Sequence, residues 1–101
     1  VLKRLRVGYV LSSNNLFTDD YETVKSLAGQ FSGLMLEKTG KTTSLLTMLG
    51  FDFYNKDKEV ASFYVDEYGV FMIDGKYYTI SSGSFDYEAV KCIYEEALRK
   101  D

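Results

Sequence analysis

The sequence predicts an α+β fold, an antiparallel meander sheet with two helices packed on one face, in the order β-α-β-β-β-β-α. Three observations carry this expectation. Val60 to Val65 is rich in β-branched and aromatic residues, Asp74-Gly75 separates two further apolar runs, and apolar residues recur at helical spacing over 21–31 and 85–98. With 101 residues there is material for one core, so 1–101 is read as a single domain.

Leu5, Val7, Tyr9 and Leu11 alternate with Arg4, Arg6, Gly8 and Val10, the period of a half-buried strand. Ser12-Ser13-Asn14-Asn15 breaks it. Thr18-Asp19-Asp20 supplies an N-cap and first-turn acids, and Asp19 with Glu22 has capping-box spacing. Tyr21, Val24, Leu27, Ala28 and Phe31 then mark a helix over about 19–31, which Gly33 stops. Leu34, Met35 and Leu36 extend that helix or begin a strand.

After Thr39-Gly40, alternation from Leu45 to Phe53 predicts a strand over about 43–54, bulged at Gly50, with a short helix over 44–49 as the alternative. Asn55 to Lys58 is a polar hairpin loop, and Val60 to Val65 the next strand. Asp66 to Gly69 turns the chain. Val70 to Ile73 and Lys76 to Ile80 flank Asp74-Gly75, the pair favoured in type I′ hairpins because both positions take positive φ. Ser84 is positioned to cap the last helix, whose apolar stripe is Phe85, Ala89, Val90, Ile93, Ala97 and Leu98. Glu95 with Arg99 and Glu96 with Lys100 form i,i+4 pairs on its other face.

Composition narrows the function. The formal charge is −3, and the basic cluster of Lys3, Arg4 and Arg6 is too small to hold a duplex, so no nucleic-acid partner is expected. No run of 18 apolar residues occurs, so no transmembrane segment is expected. The chain has no histidine and one cysteine, which removes the commonest general base, the usual metal ligand and any internal disulfide. Cys92 without a histidine to activate it is read as a small buried or boundary residue.

Two motifs are set aside. Gly40-Lys41-Thr42-Thr43 looks like the end of a phosphate-binding loop, but Met35 stands where the leading glycine is needed. A simple turn explains it. Asp19, Asp20 and Glu22, like Asp66 and Glu67, are explained by helix capping and a turn rather than by a paired-carboxylate site. No catalytic residue, metal or cofactor is expected.

Nine tyrosines and seven phenylalanines without a tryptophan leave an aromatic excess to explain. Tyr64, Tyr68, Tyr77 and Tyr78 fall on the meander, with Tyr64 facing opposite to Phe63 and Val65, and Tyr77 opposite to Tyr78. Tyrosine combines large contact area with one hydrogen bond and little entropy loss, so these four are the candidate binding residues. Cross-strand pairing for sheet stability is the competing explanation.

The stretch from Phe51 to Val65, with Ile73-Asp74-Gly75-Lys76-Tyr77-Tyr78 after it, resembles the C-terminal domains of small uncharacterised lipoproteins exported by Gram-positive bacteria. The resemblance implies an extracytoplasmic, membrane-tethered domain and supplies no catalytic residues; a cytoplasmic location is the alternative. The start at Val1 accords with a domain cut from a longer precursor or with a non-standard start codon.

The expected function is a non-enzymatic, exported interaction domain that binds a protein or another wall-associated partner through an aromatic face. Alternatives are a small inhibitor or accessory protein, and an enzyme or enzyme subunit that works with carboxylates and tyrosines. An exposed sheet edge offers a route to a homodimer.

Overall fold

The computed structural model describes residues 2–100. Strands β1 (Arg4–Tyr9) and β2 (Leu16–Thr18) precede helix α1 (Tyr21–Gly29). Strands β3 (Met35–Lys38), β4 (Leu49–Asn55), β5 (Lys58–Val65), β6 (Phe71–Ile73) and β7 (Lys76–Ser82) follow, and helix α2 (Tyr87–Lys100) closes the fold. The seven strands form one antiparallel sheet in the order β2-β1-β4-β5-β6-β7-β3.

The α+β class and the meander β4-β5-β6-β7 agree with the sequence reading. Lys56 takes φ 60° in the first hairpin, and Asp74 and Gly75 take 52° and 77° in the last, the left-handed geometry that a two-residue turn demands. β1 joins the meander beside β4, with Leu5 opposite Phe53 and Val7 opposite Phe51.

One strand escaped the sequence reading, and a second was one of two open alternatives. Leu16–Thr18 is too short to display a period and exists because β1 supplies its hydrogen-bond partners. Met35–Lys38 resolves the open question after α1: it pairs with β7 and forms the far edge of the sheet. Both edges are short, and β3 carries Glu37 and Lys38, features that discourage pairing with another sheet.

The expected strand over 43–54 begins only at Leu49. Residues 45–47 form a turn, so neither the early strand nor a short helix is present there. Gly50 pairs regularly with Tyr64, and the irregularity in this strand lies at Phe53/Tyr54 instead. Capping also differs in detail. Asp20, not Asp19, caps α1 by accepting the Thr23 N–H at 3.0 Å, and Asp86, not Ser84, accepts the Ala89 N–H at the start of α2.

Val24 and Leu27 of α1 and Tyr87, Val90 and Tyr94 of α2 join Leu5, Val7, Leu49, Phe51, Phe53, Val65 and Phe71 in one buried cluster. Both helices therefore cover the same sheet face. Each such buried side chain contributes about 1.5–3 kcal/mol relative to exposure. Six phenylalanines meet in this layer. The Phe31 ring stands edge-on to Phe51 at 5.0 Å and to Phe63 at 4.9 Å, and stacks on Phe85 at 5.4 Å. Phe53 and Phe71 complete the group.

Cys92 is exposed, contrary to expectation. At about 100° per residue, a helix that buries Val90 and Tyr94 turns position 92 to the solvent side. The Glu95–Arg99 and Glu96–Lys100 pairs form no ion pair; among the described residues the ion pairs are Arg4–Asp57 and Arg6–Asp52.

Candidate functional site: the uncovered face of the sheet

Side chains alternate across a strand, and directly opposed residues on neighbouring strands share a face. Gly8 lies opposite Gly50, Gly50 opposite Tyr64, Tyr64 opposite Met72, and Met72 opposite Tyr77. One row thus crosses five adjacent strands, on the face away from the helices. The next row along the strands holds Phe17, Arg6, Asp52 and Ser62.

The four tyrosines singled out from sequence do not form one patch. Tyr64 and Tyr77 lie on the uncovered face, half-buried, with Met72 between them. Tyr78 lies on the opposite face, opposed to Phe71 and packed against the core. Tyr68 sits on the turn after β5 and is 75% exposed. The opposition of Tyr77 to Tyr78 is as expected from alternation; which of them faces outward is decided by the side on which the helices dock.

Met72 was overlooked, although a signal existed. A two-residue turn at Asp74-Gly75 pairs Ile73 with Lys76, and therefore Met72 with Tyr77.

The glycine pair shapes the face. A Cβ on Gly50 would lie 2.9 Å from Tyr64 Cε1, so the missing side chain is what lets the Tyr64 ring settle over β4. A Cβ on Gly8 would lie 2.3 Å from Asn15 Oδ1, which occupies that space. Beside them runs a polar network. Arg6 Nε donates to Asp52 Oδ2, Arg6 Nη1 donates to Asn15 Oδ1 at 2.9 Å, and Ser62 Oγ donates to Asp52 Oδ1 at 2.7 Å. Arg6, Gly8, Asn15, Gly50 and Tyr64 border a concavity of about 220 Å³.

At the β2 edge a second concavity, about 470 Å³, is bordered by Arg4, Phe17 and Tyr54. The Arg4 guanidinium stands 5.3 Å from the Tyr54 ring centre and donates to the Lys56 carbonyl at 3.1 Å. Phe17 is 70% exposed there.

Two of the acids singled out from sequence are committed to the fold. Asp20 accepts the Thr23 hydroxyl and N–H, and those two hydrogen bonds hold its carboxyl below the usual range. Asp66 is buried and accepts three backbone N–H groups, from Ser44 at 2.8 Å, Tyr68 at 2.9 Å and Val70 at 3.0 Å. Among the described residues no three of histidine, cysteine, aspartate and glutamate converge as a metal site would require. Gly40 to Thr43 lies in the loop between β3 and β4, with no helix after it to complete a phosphate cradle.

Two tyrosines outside the meander pin loops to α2. Tyr87 Oη donates to the Thr47 carbonyl at 2.7 Å, and Tyr94 Oη donates to the Asn14 carbonyl. Burial raises the pKa of both phenols, with Tyr9 adding to the effect in each case.

No helix among the described residues is long and apolar enough to cross a membrane. Comparison with protein-family models, curated proteins and solved structures finds no match to the chain.

Proposed function

We propose that the chain is a non-enzymatic interaction domain that receives a protein partner on the uncovered sheet face, with Tyr64 and Tyr77 as its anchors. The observation that carries this reading is the row Gly8, Gly50, Tyr64, Met72 and Tyr77 on the side the helices leave open. Tyrosine and methionine are enriched at interface cores because they bring contact area with little entropy loss or adapt to irregular surfaces.

The size of the face fits. The 38 strand residues, at about 3.3 Å rise and about 4.8 Å between strands, present roughly 600 Å², near the ~800 Å² that each partner contributes to a standard interface. Asp20, Asp52 and Asp66 hold the fold together, which supports a non-enzymatic reading. The resemblance of residues 51–65 and 73–78 to exported lipoprotein domains favours an extracytoplasmic setting.

The test is photocrosslinking with benzoylphenylalanine placed at Met72 and, as a reference, at Lys25 on α1. A discrete partner captured from Met72, absent from Lys25 and lost in the double variant Tyr64→Ala/Tyr77→Ala, is the expected result. Equal capture from both positions, or capture that survives the double variant, overturns the reading.

A further inference from the structure

The geometry points to a carboxylate-binding site in the depression beside Gly8 and Gly50, where Arg6 and Asn15 present hydrogen-bond donors that no described residue accepts. It rests on the reading of this face as a partner surface, and names the chemical group the partner brings.

The Arg6 guanidinium is fixed on two sides. Nε is taken by Asp52 and Nη1 by Asn15 Oδ1, whereas Nη2 has no acceptor among the described residues. Nη2 lies 3.4 Å from the point a Cβ on Gly50 would occupy, so this free corner of the fork hangs over the glycine floor. The Asn15 amide has its oxygen engaged by Arg6, which leaves its NH₂ without an acceptor among the described residues. Among the described residues no buried side-chain polar atom lacks a partner, so these spare donors reach solvent rather than a sealed interior.

No acid lines the depression. Asp52 stands behind the guanidinium, occupied by Nε and by Ser62 Oγ. Ser12 Oγ, on the rim, already accepts the Asn14 N–H at 3.0 Å. On the Gly50 side, away from the Asn15 Oδ1 and Asn14 carbonyl oxygens that stand over Gly8, the opening offers donors of a guanidinium whose charge Asp52 shares, and what complements them is an oxygen acceptor carrying negative charge. A planar guanidinium matches a carboxylate, and holding it in place beforehand reduces the entropy lost on binding. Asp52 balances most of the Arg6 charge, which favours a monoanionic carboxylate over a phosphate dianion. The Tyr64 ring, seated over Gly50, walls the opposite side and meets the carbon atoms next to the carboxylate.

That carboxylate belongs either to a chain terminus or to an acidic side chain. The ¹⁵N-labelled protein is titrated at constant ionic strength with N-acetylglycine, with its neutral amide, and with the α-amide of N-acetylaspartic acid. The expected result is a saturable shift of the Gly8 and Gly50 backbone amide and Asn15 side-chain amide resonances with a carboxylate, and about tenfold weaker binding of the neutral amide. Tighter binding of N-acetylglycine assigns a chain terminus, and tighter binding of the aspartate probe an acidic side chain. Arg6→Lys is expected to weaken binding roughly fivefold with a dispersed spectrum retained. Asn15→Ala, which leaves the Arg6–Asp52 pair in place, is expected to weaken it about threefold and serves if the first variant does not fold. Equal shifts from the neutral amide or from chloride alone, or shifts elsewhere on the surface, overturn the site. Absent carboxylate binding with intact Met72 crosslinking removes this site alone, whereas the reverse removes the partner surface alone.

Discussion

The carboxylate of Asp66 accepts the backbone N–H of Ser44 at 2.8 Å, tying the turn after β5 to a loop 22 residues earlier in the chain. Its other oxygen accepts the N–H groups of Tyr68 and Val70. A single buried side chain therefore organises two irregular segments that have no sheet partners of their own. Charge-assisted bonds of this kind are the stronger ones, and removing the acceptor leaves the donors in poor surroundings.

Asp66→Ala is expected to destabilise the fold by about 3 kcal/mol, read from urea unfolding. Asp66→Asn keeps one carbonyl oxygen and should lose less. A loss below about 0.5 kcal/mol for the alanine variant, the range of ordinary surface changes, would show that the two segments hold without this bridge.

Phe31 follows α1 and joins the ring cluster from the helix side, touching Phe51, Phe63 and Phe85. Phe31→Ala removes the one ring common to those contacts. About 3 kcal/mol of stability should be lost, the lower end for such truncations because Phe31 is only half-buried. Thermal unfolding measures it, and an unchanged midpoint would mean that the neighbouring rings close the gap.

Alkaline pH should weaken the fold. The phenols of Tyr87 and Tyr94 have folded-state pKa values raised above the ordinary 10.0. Their contribution is therefore complete below pH 10.0 and is lost as pH rises through the folded values. Unfolding midpoints measured from pH 8 to pH 12, about two pH units either side of the phenol range, should fall at the upper end. Tyr87→Phe should flatten that decline, because its neutral ring has nothing to ionise. A decline of the same steepness in the variant would assign the alkaline loss to other groups.

The acid side carries the opposite sign. Hydrogen bonds from Thr23 lower the Asp20 carboxyl pKa, so its contribution is present above the unfolded value of 3.8 and is lost as pH falls through the folded one. Asp20→Asn should reduce the acid sensitivity of unfolding, with the same helical signal near neutrality. If wild type and variant lose stability in parallel on acidification, the cap does not titrate as described.

Much of this molecule was legible before any coordinates. The β-branched and aromatic run Val60 to Val65, the turn pair Asp74-Gly75 and the apolar stripes of both helices are local signals, because strand propensity, positive φ and helical repeat act over a few residues. From the same signals follow the meander, the opposite facing of Tyr77 and Tyr78, and the pairing of Met72 with Tyr77. Leu16–Thr18 lay beyond reach, and Met35–Lys38 stayed one of two alternatives, since strands of three and four residues exist only when a neighbour supplies their hydrogen bonds.

The tertiary structure alone decided the site. Gly8 and Gly50 are 42 positions apart in the chain, and nothing between them predicts that they meet; the pairing of β1 with β4 brings them together. The same pairing sets Arg6 against Asp52, and the docking of both helices on the other side determines that Tyr64 faces outward while Tyr78 enters the core. Short-range geometry is written into neighbouring residues. Long-range register and helix placement follow from burying the whole apolar surface at once, and no local stretch of sequence carries that sum.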